Sequence, residues 1–468
     1  MLWRYAVIGL IAFLTGCAGT GSWSSDGEPN TDPRAAKAAR VDLRNQSVSD
    51  QYAPSSNLWI RIRDGFAMEP LNNPLEIEQV RWLSARPDYV NRSMARSSRY
   101  LFYIVQEVNT RNMPMEIALL PFVESAFNPQ AKSTAKAMGI WQFMPATGKD
   151  FQLTQNVFRD ERRDVLQSTD AALDYLQRLH KQFGSWDLAL AAYNWGAGNV
   201  SKAQKRNLAK GLPTDYQSLK MPNETRQYVP KLMAYRAIVL DPESYGIVLP
   251  PLENHPYFIA LDMDRDIDVD LVIKLAQIPP EEFHNLNPSF NKPVILGNTN
   301  QQVLLPFGHA EVFQENLKAY TGPLSTWTAV RVNQTQYADD VAKTLKVDVK
   351  SLREINGIPW GMRIRAGSTL LIPKTNANAA DISGLLAETA SLSLIKPAPP
   401  PKTCKNGAKC SPSKAAKAAA KKNTPGKNTS TQHKSASTNP EKSAKNGGSK
   451  TSSSNAKVAS GNGATNIR

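Results

Sequence analysis

Cysteine is nearly absent from this chain: there are three in 468 residues, at positions 17, 404 and 410. So few thiols exclude a disulfide-stapled scaffold. Cys404 and Cys410 either close the small loop CKNGAKC or remain thiols, and neither has a histidine at zinc-ligand spacing. Histidine is almost as scarce, with five scattered copies, so neither a metal nor any other cofactor is expected. Long apolar runs are missing as well. The stretch from Tyr5 to Leu14 is too short to span a bilayer as a permanent helix. Most of the chain also lacks a surplus of either charge, despite a formal net charge of +15. Residues 396 to 468 hold 15 Lys plus Arg against the single Glu441, leaving the remainder at +1. A near-neutral body gives no electrostatic footing for a polyanion, and no nucleic-acid partner is expected.

The first seventeen residues have the layout of a secretory leader: Arg4 in a positive n-region, then a short apolar segment. Its end, Leu14-Thr15-Gly16-Cys17, resembles a bacterial lipobox. That resemblance implies cleavage before Cys17 and acylation of its thiol and new amino terminus, and several acyl chains anchor far more durably than one. Ala18 stands where an Asp would imply inner-membrane retention. The expected location is therefore the outer membrane, facing the periplasm, with membrane lipid as a partner. Residues 18 to 56, rich in Gly, Ser, Asp, Asn and Pro, are expected to form a flexible tether. The Lys-rich tail, 396 to 468, holds too little apolar bulk to offset chain entropy and is expected to be disordered.

Between these ends the pattern is helical from 57 to 248. Residues 99 to 112 set Leu101, Ile104, Val105 and Val108 on one helical face. Pro114 fits a helix start before MEIALLPFVESAF, with Pro121 set to bend it. Further helices are expected over 169 to 183, 186 to 196 and 224 to 240. Two shorter units follow, at 255 to 310 and 327 to 374. LVIKLAQIPPEEFHNLN aligns without gaps on DVAKTLKVDVKSLREIN, 69 residues later. Each copy lies between short apolar strands, giving a strand-helix-helix-strand plan. That plan resembles the LysM module, which binds the N-acetyl sugars of peptidoglycan. The usual Gly-Asp-Thr-Leu is Gln334-Thr335-Gln336-Tyr337 in the second copy and unrecognisable in the first, so the fold is more legible than sugar affinity.

Glu124 follows a nearly unbroken apolar run from Ile117 to Val123. A carboxyl at the edge of such a core loses hydration of its charged form, which raises its pKa and keeps it protonated for acid catalysis. Three segments surround this idea: Glu124-Ser125-Ala126-Phe127-Asn128-Pro129, Gly139-Ile140-Trp141-Gln142-Phe143-Met144-Pro145 and Ala192-Tyr193-Asn194-Trp195-Gly196. Each alone is weak. In this order they resemble the soluble lytic transglycosylase family, and the leader and repeats point to its membrane-bound members. The resemblance covers roughly residues 58 to 374. It implies a mainly α architecture: a goose-type, lysozyme-like catalytic domain followed by two small α+β LysM-like modules. The implied substrate is the peptidoglycan glycan strand, cut with Glu124 as acid and base.

Lysozyme-type hydrolysis generally needs a second carboxylate, and none of the three segments supplies one. Asp150, Asp160, Glu161 and Asp164 lie in a polar stretch that reads as a surface loop. The family resemblance implies instead that the C6 hydroxyl of N-acetylmuramic acid attacks its own anomeric carbon, leaving a 1,6-anhydro end. Intramolecular attackers reach effective molarities of about 10⁵ M or more, enough to outcompete water. By the same resemblance, Ser133 lies near Glu124 and the acetamido group, and Gln142 and Met144 line the sugar cleft. Tyr193 is expected to hydrogen-bond toward Glu124, Asn194 to brace its loop, and Tyr228 to stand on the far side of the cleft. Trp141 and Trp195 either stack on sugars or pack in the core. The alternatives are a hydrolytic muramidase on the same fold and a catalytically silent peptidoglycan-binding scaffold.

Overall fold

The computed structural model of the chain describes residues 57–299, 301–376 and 380–396. The leader, Cys17, the tether, the Cys404–Cys410 pair and the tail lie outside the described residues.

The first unit is a run of helices, many with a recognisable start or stop. Asn73 caps α2 (Pro74–Ser84) by accepting from the Glu76 amide, with Pro74 in the first turn. After α1 (Leu58–Asp64) and α2 come α3 (Pro87–Ser97) and α4 (Leu101–Thr110). The apolar run before Glu124 is not one helix. A 3₁₀ segment, Met115–Leu119, passes into α5 (Leu120–Ser125) with Pro121 in its first turn, where its missing N–H costs nothing. Then follow α6 (Pro145–Asp150), α7 (Val165–Phe183), α8 (Trp186–Trp195) and α9 (Ala197–Leu208). α7 is capped by Asp164 at its start and by Gly184, at φ +72°, at its end. The expected helix over 224 to 240 is broken at Gln227 into α10 (Asn223–Arg226) and α11 (Tyr228–Leu240).

The core of this unit holds Leu101, Ile104, Val105 and Val108, the face read from the sequence, against Ile117, Leu120 and Phe122. Each such side chain contributes about 1.5–3 kcal/mol when fully buried.

Two modules follow. In the first, β1 (Phe258–Asp262) pairs antiparallel with β4 (Gln302–Pro306), and the short β2 (Ile267–Asp268) with β3 (Val294–Ile295). Helices α12 (Val269–Ala276) and α13 (Pro280–Leu286) lie between. A further helix, α14 (Phe307–Ala319), follows β4 and places Ala310 and Phe313 in the same core. In the second module, β5 (Trp327–Arg331) pairs with β8 (Thr369–Pro373) and β6 (Gln336–Tyr337) with β7 (Arg363–Ile364), around α15 (Ala338–Leu345) and α16 (Val349–Asn356).

The repeat extends to individual hydrogen bonds. Asn287 accepts from the Leu304 amide at 2.8 Å and donates to the carbonyls of Phe283 and Leu304. Asn356, its counterpart, accepts from Leu371 at 2.8 Å and donates to Leu352 and Leu371. One buried amide thus ties helix end to strand in each copy, satisfying backbone groups that would otherwise be orphaned.

The first module is docked on the helical unit. The Arg99 guanidinium bonds both carboxylate oxygens of Glu282, at 2.8–3.1 Å, and Tyr257 donates to the same carboxylate at 2.8 Å. Tyr100 donates to the Asn285 carbonyl at 2.8 Å, and the Asp160 amide to that of Ser289 at 2.9 Å. A buried apolar cluster joins Phe158 of the helical unit to Val294 and Leu296 of the first module and Leu371 of the second. Its remaining members, Ile382, Ala387 and Ala390, come from a segment with helix α17 (Gly384–Glu388) and strand β9 (Leu394–Ile395), which adds to β7.

The polar stretch from 150 to 164 is a surface loop only in part: Asp150 and Gln152 are exposed, but its later half turns inward. Asp160 is buried, and its carboxylate is paired with the buried guanidinium of Arg162 at 2.6–2.9 Å. Alternation of acid and base, which reads as solvated, here forms an internal ion pair sealed by neighbouring carbonyls.

Candidate active site

Glu124 sits in the last turn of α5, partly buried. The chain then reverses through Ala126 and Phe127, both at positive φ (50° and 56°), with their amides closing onto Phe122 and Pro121. That reversal puts the carboxyl at a helix end, beside the Gly139–Pro145 turn. Ser125 donates to the Ile140 carbonyl at 2.9 Å, tying the two segments together.

The turn itself depends on Gly139. Its φ is +79°, and a Cβ there would meet the Arg162 carbonyl oxygen at 2.2 Å. Arg162 donates onward to the carbonyls of Lys136 (2.8 Å) and Phe143 (3.3 Å), so its ion pair with Asp160 braces the whole loop. Within the loop, Gln142 donates to the Gly139 carbonyl at 2.8 Å, and Ser133 accepts from the Ala137 amide at 2.9 Å. Met144 precedes α6 and is 43% exposed, a flexible apolar lip rather than a core residue. Trp141 resolves toward packing: it is fully buried and donates to Thr169 at 2.9 Å. Trp195 packs against the same core while remaining partly exposed.

The hydrogen bond to Glu124 comes from a different tyrosine than expected. Tyr193 does not bond Glu124; its hydroxyl donates to the Trp141 carbonyl at 2.9 Å, holding the turn from behind. Tyr228, expected on the far side of the cleft, donates to Glu124 Oε1. Tyr228 opens α11 directly after the break at Gln227, and its hydroxyl reaches Glu124 on α5. Asn194 accepts from Thr225 at 2.7 Å and so joins α8 to α10.

Burial raises the Glu124 pKa to about 7 from an ordinary value of 4.5. The Tyr228 hydrogen bond, which favours the charged form, pulls the other way. Two groups invisible to motif reading also act on it: the negative Glu224 raises it and Lys231 lowers it. Burial pushes the phenols of Tyr193 and Tyr228 well above their usual value, so both stay neutral hydrogen-bond donors. The arrangement is a carboxylic acid half-protonated near neutrality, its position held by a phenol, beside a braced polar turn.

Comparison with known proteins concerns the chain as a whole. The family described as Transglycosylase SLT domain matches residues 103–212, which hold all three segments, and the Lytic transglycosylase MltD, LysM-like domain matches residues 257–322. The second match includes α14 as part of the first module. Membrane-bound lytic murein transglycosylase D of Escherichia coli is 33% identical over 383 residues, covering 78% of this chain and 84% of that protein. Membrane-bound lytic murein transglycosylase C of Glaesserella parasuis is 31% identical over 172 residues, 33% of this chain and 47% of that protein. Among solved structures, an inactive mutant of lytic transglycosylase Slt from Pseudomonas aeruginosa is 28% identical, with a TM-score of 0.24, covering 30% of this chain and 24% of that one. A lysozyme-like helical domain carrying LysM-like modules, sharing a third of its residues over most of both chains with such a relative, makes this an enzyme: the chain belongs to the family of membrane-bound lytic murein transglycosylase D.

Proposed function

We propose that the protein cleaves the β-1,4 bond between N-acetylmuramic acid and N-acetylglucosamine without water, leaving a 1,6-anhydro-muramyl end. The Glu124 carboxyl gives its proton to the glycosidic oxygen as the bond to the anomeric carbon breaks. The C6 hydroxyl of the same muramyl ring then bonds that carbon, and its proton returns to the Glu124 carboxylate. Acid and base are one group, so the cycle ends with Glu124 protonated again. The observation that carries this reading is the carboxyl raised to about 7, which makes both protonation states accessible near neutral pH.

In this reading Tyr228 holds the rotamer of Glu124, and Tyr193 and Asn194 hold the surrounding loops. Gln142, Ser133 and Met144 line the sugar cleft. Residues 57–248 form the catalytic domain, with a first module that runs on from the expected 255–310 to about 322, through α14, and a second at 327–374. The lipobox-like Leu14-Thr15-Gly16-Cys17 and the "membrane-bound" name of the relative support acylation of Cys17 and an outer-membrane anchor through the 18–56 tether. No helix among the described residues is long and apolar enough to cross a membrane.

A hydrolytic reading has one foothold, because the charge of Glu224 reaches Glu124. Glu224 is exposed on α10. If it were the base for water, Glu224→Gln would stop cleavage. The expected result is that this variant still cuts purified sacculi and that mass spectrometry finds anhydro-muropeptides from both proteins. Reducing-end products alone would sink the proposed reaction.

Tyr228→Phe provides a separate check through pH. Its hydroxyl stabilises the ionised carboxylate, so removing it raises the Glu124 pKa further. The basic limb of the kcat/KM profile should move to higher pH, while kcat falls because the rotamer is no longer held. A limb that moves down or stays fixed would separate Tyr228 from the titrating acid.

A further inference from the structure

The two modules stay in register beyond their helices, across the loop that follows, and there the copies part. Asn287 stands opposite Asn356, and at the same offset of 69 Asn291 stands opposite Trp360. In the second module this loop leaves Trp360 76% exposed. In the first it lies against the helical unit. The Asp160 amide donates to the Ser289 carbonyl at 2.9 Å and the Asn291 amide to the Phe158 carbonyl at 2.7 Å, an antiparallel bridge centred on Arg159 and Phe290. Side chains extend it: Ser289 donates to Asp164 and Asn291 to the Asn156 carbonyl, each at 3.2 Å. The loop is stiff on its own side, because Asn287 is tied to β4 and the Phe290 ring stacks on Phe283 at 6.4 Å.

The bridged segment is the one that braces the candidate cleft. Arg162 holds the Gly139–Pro145 turn through the carbonyls of Lys136 and Phe143, and its own carbonyl lies against Gly139. Arg163, the next residue, donates to Gln130 at 3.2 Å, on the loop that leads to Ser133, and its other terminal nitrogen donates to Asn291. One guanidinium thus spans from the module to the Ser133 loop. The acid and its phenol stand apart from this bracing, on α5 and α11. The Arg99–Glu282 clasp differs too, since it joins the module to the corner between α3 and α4 and enters neither loop.

We infer that Asn291, with the loop 287–293 that carries it, positions the sugar cleft, so that the first module serves as a buttress of the active site. Asn291 acts through Arg163 and the 158–164 segment without touching substrate, which makes it a positioning residue. The inference rests on the proposed reaction and on Ser133, Gln142 and Met144 as cleft residues. A misplacement of about 1 Å that begins far from the chemistry can cost about 10²-fold in rate, so a remote brace has leverage. A copy whose sugar motif is unrecognisable gives up nothing by turning this loop inward.

The test measures kcat and KM separately on soluble glycan strands. Asn291→Pro deletes the amide that bonds Phe158 and keeps the chain extended. It should raise KM about tenfold with kcat within about twofold, because a misplaced cleft loses uniform binding and not the acid. The basic limb of its pH profile should stay where Glu124 sets it. Asn291 is exposed, so Asn291→Ala leaves the core alone and should raise KM about threefold. Asn291→Asp, which still accepts from Arg163, should return most of that loss. Glu282→Gln is the control: it weakens the Arg99 clasp and should lower the melting temperature while kcat and KM hold. An unchanged KM in Asn291→Pro and Asn291→Ala, or an equal rise in Glu282→Gln, would overturn the inference and leave the loop a role in stability alone. If Asn291→Pro does not fold, KM for the Ala and Asp variants decides by the same values. An unaltered protein that cuts no strands would instead remove the reaction itself, and the inference with it.

Discussion

Glu124→Gln will lower the rate of strand cleavage by about 10²–10⁴-fold, the usual share of a general acid, and will make the protein more stable at pH 8. Both effects have the same origin. The folded-state pKa is about 7 against 4.5 for a free side chain, because burial penalises the charged form. Between those two values the folded protein binds more protons than the unfolded chain, so stability falls as pH rises through this window. Below about pH 4.5 the carboxyl is neutral in both states and nothing is lost. Above pH 7 the full penalty applies, at most about 3 kcal/mol for such a difference. Glu124 is only partly buried, so screening by water reduces the expected gain to about 1–2 kcal/mol.

Gln is neutral at every pH and still accepts from Tyr228, so it escapes the penalty. Thermal unfolding should show the variant matching the parent at pH 4.5 and melting higher at pH 8. A variant that melts lower at pH 8 would mean the carboxylate is stabilised where it stands, and the acid role would lose its physical basis.

Gly139→Ala is the second large effect. The added Cβ would lie 2.2 Å from the Arg162 carbonyl oxygen and 3.1 Å from its carbon, and the residue would have to hold φ +79°. The obstacle is backbone, pinned in turn by the buried Arg162–Asp160 pair, so the neighbour cannot swing aside. The cost should be about 3 kcal/mol or more. Gly184 provides the control. It has a similar φ of +72° but faces open space, so Gly184→Ala should cost about 1 kcal/mol. Urea midpoints compare the two. Activity should fall with Gly139→Ala even where the protein remains folded, because Gln142 and the Trp141 carbonyl that anchors Tyr193 ride on this loop. Equal midpoints for the two variants would show that the loop relaxes freely around the clash.

The residues that sequence alone could identify are those whose surroundings are local. Glu124 announces itself through the seven apolar residues before it, and the repeat aligns Asn287 with Asn356 because each acts within its own module. That Tyr228 and not Tyr193 would bond Glu124 was not legible, since it depends on how α5 and α11 pack, 104 positions apart in sequence. Asp160 and Arg162 are two residues apart in a stretch of alternating charge, and nothing in that pattern distinguishes a buried pair from a wet one. Lys231 carries no motif, and its charge reaches Glu124 only because α5 and α11 pack together. Arg99 and Glu282 lie 183 positions apart, beyond any local periodicity.

The clasp between Arg99 and Glu282 has a consequence for how a polymer would be approached. Together with Tyr100, Asp160 and the cluster around Phe158, it leaves no free joint between the cutting groove and the first repeat. Flexibly linked parts raise local concentration and accept any orientation, whereas parts fused in this way act together only on targets of matching geometry. The heading of a strand relative to the whole body, more than its nearness, would then decide which of its bonds can be reached.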